Sequence, residues 1–242
     1  MTGARPWAGS PWPPPGPDRP RWGIADAAAG FTVALVFSVV VANAWVAVTG
    51  DDDVTLGLTI VTLVAQWTGL VGAVVLASRL KGSGDLAADF GLRVERRDLG
   101  PGIAAGVVSQ LVLIPLLYLP FDLLGADLDV SEKARETTNL GQGAGLALLG
   151  LFIVVGAPLV EELFFRGLLQ RAVDRRYGPR WAIGVSSVAF GLTHFQPVQL
   201  LGLVAFGVVL AVLAQRAGRL GPALVAHVAF NATSVVALVA VR

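Results

Sequence analysis

Three short patterns in the C-terminal part of the chain carry side chains able to do acid–base chemistry: Glu161-Glu162-Leu-Phe-Phe-Arg166, Phe190-Gly-Leu-Thr-His194 and His227-Val-Ala-Phe-Asn231. In a helix Glu162 and Arg166 fall on one face with the glutamate N-terminal, the better order for an ion pair. Glu161 lies about 100° around the helix and lacks that partner. His194 and His227 are the only two histidines. A carboxylate beside an imidazole can activate water, and one carboxylate with two imidazoles is equally the ligand set of a catalytic zinc that keeps an open water position. Asn231, one helical turn from His227, can donate hydrogen bonds to a developing oxyanion. The absence of cysteine removes disulfides, thiolate ligands and a cysteine nucleophile.

The elements that must hold these groups are membrane helices. Hydrophobic residues make up 55% of the chain and charged residues 14%, where a soluble domain holds about 25% charged. Seven candidate spans can be read: Gly23 to Thr49, Val54 to Ser78, Leu99 to Leu124, Gly143 into a helix running towards Arg175, Arg180 to Phe195, Pro197 to Gln215 and Leu220 to Val241. The fold class is therefore all-α, a polytopic transmembrane bundle of about seven spans. No internal repeat and no soluble second domain are visible. The chain divides into a Pro-rich cytoplasmic tail (1–22) expected to be disordered, N-terminal transmembrane helices and loops (23–142), and a catalytic transmembrane core (143–242). The tail does not read as a secretory signal, because prolines stand where an apolar region would be. The Asp85 to Asp98 linker, with Phe90, Leu92 and Val94 among charges, reads either as a segment lying on the membrane surface or as a plain hydrophilic loop.

Lysine and arginine alternate with the spans. Arg5, Arg19 and Arg21 precede the first, Arg79 to Arg97 follow the second, Arg171 to Arg180 follow the fourth, and Arg216 and Arg219 follow the sixth. The intervening loops hold Asp51 to Asp53, Gln196 and the mixed Asp127 to Glu136 segment. By the positive-inside rule the N-terminus is cytoplasmic and the C-terminus outside. The basic residues are dispersed in short loops, so nothing suggests nucleic acid as a partner. The Ala-, Gly- and Arg-rich composition points to a bacterial plasma membrane.

Ionisable groups near a span centre cost about 2.5 to 3.5 kcal/mol each on insertion scales, so Glu161, Glu162 and Arg166 need compensation. Pro158 cannot donate to Val154 and disturbs the backbone just before the glutamates. Counting 1.5 Å per residue from the nearest cytoplasmic arginine puts Glu161 about 15 Å deep, His194 about 21 Å and His227 about 12 Å. This shared middle layer predicts one cavity containing all three. Two carboxylates and one guanidinium leave a net negative charge there, so either Glu161 holds a proton or a cation occupies the site.

These three patterns resemble, in order and spacing, the E-E-x-x-x-R, F-x-x-x-H and H-x-x-x-N motifs of the CPBP family of intramembrane proteases, which includes Rce1-like CAAX proteases and Abi proteins. The resemblance covers about Gly143 to Val241. It implies an intramembrane endopeptidase in which Glu161 with His194 activates water, His227 with Asn231 stabilises the tetrahedral intermediate, and Glu162, Arg166 and Phe190 support them. It leaves open one divalent metal, zinc, held by Glu161, His194 and His227. The implied partners are the lipid bilayer and a membrane protein or lipidated or hydrophobic peptide substrate, such as a bacteriocin precursor. Three other readings compete: a non-proteolytic scaffold or immunity protein of the same fold, a proton-coupled transporter, and a serine dyad of Ser186 or Ser187 with His227. The last leaves the Glu–Arg pattern unexplained.

Overall fold

The computed structural model describes residues 21–50, 52–126 and 128–240, and these form helices joined by turns, with no strand among them. The predicted Pro-rich tail falls almost wholly outside the described residues. Six helices are long and apolar enough to cross a membrane: α1 (Ile24–Thr49), α2 (Leu56–Lys81), α4 (Arg96–Leu123), α6 (Ala144–Tyr177), α8 (Leu200–Ala217) and α9 (Gly221–Ala240). Two short helices, α3 (Leu86–Phe90) and α5 (Glu132–Asn139), lie in the connections.

The fifth predicted span, Arg180 to Phe195, forms a helix too short to be counted with these six. Helix α7 (Pro179–Leu192) has 14 residues, about 21 Å against the roughly 30 Å of hydrocarbon. It stops because Thr193 folds its hydroxyl back onto the Phe190 carbonyl (3.0 Å) and Phe195 adopts a left-handed φ of 53°. Pro197 then disfavours helical backbone at the residue before it. His194 therefore lies in a turn beyond the helix, and a depth counted along a continuous helix overstates its path.

Small residues let the long helices approach closely, which is how membrane helices associate when lipid is as apolar as leucine. Gly30 and Ala34 of α1 face Ala73 and Gly69 of α2; a Cβ at Gly69 would stand 2.5 Å from Ala34 Cα. Gly102 and Gly106 of α4 do the same against α9, where a Cβ at Gly106 would meet Ala229 Cβ at 2.8 Å. That second seam sets the position of α9, the helix that carries His227.

The Asp85 to Asp98 linker buries Asp89, Phe90, Gly91 and Asp98 and leaves Asp85, Ala87, Ala88, Arg93, Val94, Arg96 and Arg97 exposed. Asp85 caps α3 by accepting from the backbone N–H groups of Ala87 and Ala88, and Gly91 ends it in the left-handed conformation at φ 67°. Phe90 is thereby turned into the core beside Trp22, with ring centroids 4.9 Å apart. Asp89 accepts from the Ser78 hydroxyl (2.5 Å), and Arg171 of α6 donates to the Asp89 carbonyl (2.6 Å). Trp22, assigned by sequence to the tail, is buried, and the Arg175 guanidinium lies 3.6 Å from its ring centroid. The linker thus plugs the basic end of the bundle.

Replacing Gly69 with leucine should force α1 from α2 at a cost of about 1–3 kcal/mol. Thermal unfolding in detergent should show a lower midpoint for Gly69→Leu and little change for Gly72→Leu, whose Cβ position has open space around it.

Candidate active site

Glutamates 161 and 162 sit where α6 is least regular. The helix widens to π-type hydrogen bonding over Phe152–Gly156, returns to α-type over Ala157–Glu161, and widens again over Glu162–Gln170. Proline explains the first widening. Ala157 donates to the Phe152 carbonyl five residues back, and in that register the donor for Ile153 would be Pro158, which has no N–H. The Ile153 carbonyl instead accepts from Asn231 Nδ2 at 2.8 Å. The same arrangement recurs in α4, where a π-type turn over Ser109–Leu113 precedes Pro115.

Behind the cavity wall lies a charged cluster. Glu162 and Arg166 are 1% and 0% exposed, and their side chains pair at 2.9 Å. The same Glu162 oxygen, Oε1, accepts from His227 Nδ1 at 3.0 Å. Arg166 also donates to the Gly207 carbonyl (3.2 Å) and lies over the Phe190 ring, 4.5 Å from its centroid. Phe190 therefore takes a cation on its ring and spaces the two imidazoles, whose centroids are 4.7 Å (His194) and 5.6 Å (His227) away.

Glu161 turns the other way, into a cavity of about 380 Å³ that it lines with Phe190, His194, His227 and Asn231. Its Oε2 stands 3.7 Å from His227 Nε2, a separation that suits a bridging water or a shared proton better than a direct hydrogen bond. The hydrogen-bond partners set the tautomers. A carbonyl accepts only, so the 2.7 Å contact between His194 Nδ1 and the Phe190 carbonyl puts a proton on Nδ1 and leaves Nε2 as a lone pair. His227 likewise donates from Nδ1 to Glu162, so its Nε2 faces Glu161.

Of the residues singled out by sequence, Glu161, Phe190, His194, His227 and Asn231 line one cavity, and Glu162 and Arg166 lie behind its wall. His227 Nε2 is 3.7 Å from Glu161, and His194 Nδ1 is held by the Phe190 carbonyl. Serines 186 and 187 take no part. Their hydroxyls donate to the Ile183 carbonyl at 3.3 and 2.7 Å, they are buried, and neither lines the cavity. One carboxylate and two imidazoles suit zinc in donor chemistry. Among the described residues, however, no three His, Asp or Glu side chains gather into a metal-binding group, so the arrangement as it stands does not fit a metal.

Sequence reasoning missed the rest of the lining. Leu63 and Trp67 of α2, Phe206 of α8 and Phe230 of α9 form apolar walls, and Lys133, Thr137, Gln196 and Gln199 form a polar rim. A lone tryptophan in the middle of α2 was the available signal; its ring occupies the space a side chain at Gly156 would need, 2.4 Å from a Cβ there. Helix α5 is tied over the rim. Gln199 Nε2 donates to the Val130 carbonyl (2.8 Å), and Arg135 pairs with Asp129, holding that carboxyl below the usual carboxylate range.

The buried pair gives a stability test. Arg166→Leu should cost about 3–5 kcal/mol by leaving Glu162 uncompensated, and Glu162→Leu combined with Arg166→Leu should recover part of that loss. Denaturation of Arg166→Leu, Glu162→Leu and the double variant in one detergent checks this; additive losses would contradict the pairing.

Comparison with curated proteins and with solved structures gives no match. Residues 143–233 match a family model described as type II CAAX prenyl endopeptidase Rce1-like. That segment includes Glu161, Glu162, Arg166, Phe190, His194, His227 and Asn231, and over it the chain is similar to this family of endopeptidases.

Proposed function

We propose that this chain is an intramembrane endopeptidase that hydrolyses peptide bonds of membrane-associated substrates with water activated by Glu161. One observation carries the reading: Glu161 is the carboxylate exposed to a cavity with two imidazoles, while its neighbour Glu162 is consumed by Arg166 and His227. A structural ion pair needs only Glu162. The second carboxylate, costly in a membrane interior, is accounted for by chemistry.

In this reading a water held between Glu161 and His194 Nε2 donates to both lone pairs. Glu161 takes one proton as the oxygen attacks the substrate carbonyl carbon, forming a tetrahedral oxyanion. Asn231 has one amide hydrogen on Ile153 and a second free for that oxyanion. His227, anchored through Nδ1 to Glu162, presents Nε2 to Glu161 at 3.7 Å, where it can share the proton Glu161 takes from the water and, while holding it, donate to the oxyanion with Glu162 balancing the imidazolium. Collapse breaks the C–N bond, and the proton held by Glu161 passes to the leaving amine. The products are a carboxylic acid and an amine, with the water's atoms divided between them. No step runs through a metal.

The test is purified protein in liposomes with a membrane-peptide library, read by mass spectrometry of the products. Glu161→Gln should lower cleavage about 10²–10⁴-fold, the range for losing a general base, and leave thermal stability unchanged. A non-proteolytic scaffold or a transporter would yield no products from the unmodified protein. Chelation should leave cleavage intact; loss on chelation with recovery on adding zinc would replace the glutamate mechanism by a metal one.

A further inference from the structure

The two ends of the bundle differ, and the difference assigns a direction to the cavity. Its rim is made by α5 (Lys133, Thr137) and by the turn between α7 and α8 (Gln196, Gln199). Both segments follow helices that run away from the basic loops. The opposite end carries Arg79, Lys81, Arg93, Arg96, Arg97, Arg171, Arg175, Arg176, Arg180, Arg216 and Arg219. At the rim end the described cations are Lys133 and Arg135, and each is paired within its own segment, to Glu136 and Asp129. By the positive-inside rule the rim end faces away from the cytoplasm.

Toward the basic end Glu161 is backed by buried side chains. Beneath it the α6 segment from Glu162 to Gln170 is buried at every residue but Leu169, and α3 closes the end with Phe90. The depression on the basic side, bounded by Gly91, Arg93, Arg171 and Arg219, shares no residue with the cavity. The rim, by contrast, is bordered by the eight-residue α5, whose Ala134, Thr137 and Thr138 face inward while Arg135 and Glu136 face out.

We infer that the cavity takes its substrates from the non-cytoplasmic side of the membrane, past α5: membrane-anchored or exported polypeptides whose scissile bond lies in the outer half of the bilayer or just beyond it. Cytoplasmic chains anchored by a lipid on the inner leaflet are not its substrates. The inference deepens the proteolytic reading and rests on it for the word substrate, but the direction of the opening can be measured without catalysis.

The chain contains no cysteine, so single-cysteine variants need no prior removals. Thr137→Cys and Gln196→Cys report the rim, Ala157→Cys the cavity one helical turn from Glu161, and Ala88→Cys the basic end. Each is expressed in a bacterial inner membrane and treated with a membrane-impermeant maleimide, or for Ala157→Cys a small charged methanethiosulfonate. Intact spheroplasts are compared with inverted vesicles. Rim cysteines should label in spheroplasts and Ala88→Cys in inverted vesicles, and Ala157→Cys should react at least tenfold faster in spheroplasts. The reverse sidedness would overturn the inference. So would failure of Ala157→Cys to react from outside while the rim labels, since α5 would then seal the cavity; monodispersity in detergent confirms that each variant is folded. Sidedness and catalysis fail separately: an inactive protein can show the expected labelling, and an inward-facing protease would show its reverse.

Discussion

Burying Glu162 and Arg166 in a membrane interior is tolerable only as a pair, and the geometry of that pair governs the rest of the site. One Glu162 oxygen receives both Arg166 and His227, so the ion pair also fixes the ring orientation of a histidine on a different helix. Arg166 in turn lies on Phe190, whose carbonyl fixes the second histidine. The charged cluster thus fixes the tautomer of His227, the Phe190 carbonyl fixes that of His194, and Glu161 is left facing the cavity.

The backbone contributes as much as the charges. Pro158 leaves the Ile153 carbonyl without a backbone donor, and Asn231 supplies one. That bond ties α9 to α6 beside Glu161, while Gly102 and Gly106 hold α9 against α4. Asn231 is therefore a structural clasp as well as a donor to the cavity.

Much of this was legible in the sequence, because ionisable residues in apolar helices stand out by their cost. Spacing alone gave the Glu162–Arg166 pair and the convergence of Glu161, His194, His227 and Asn231. Other features were hidden. Residues 132–139 are polar and read as loop, since their role as a cover depends on what lies beneath. Phe90 sits among charges, and only the Asp85 cap and the Gly91 turn direct it into the core. The end of α7 at Leu192 was not visible because Thr193 and His194 fit a helical F-x-x-x-H spacing, and only the Phe195 turn and Pro197 end it. Helical counting also presumes a regular α-helix, so it could not show which histidine faces Glu161 once α6 adopts π-type turns.

The central claim is that Glu162 is structural and Glu161 holds the reactive water. A high-resolution experimental structure in lipid nanodiscs tests it most directly. The account predicts an ordered water within hydrogen-bond distance of Glu161 and His194 Nε2, with Glu162 bound by Arg166 and His227 as here. A Glu161 carboxylate directed to lipid, or an Arg166 paired with Glu161 in place of Glu162, would contradict it.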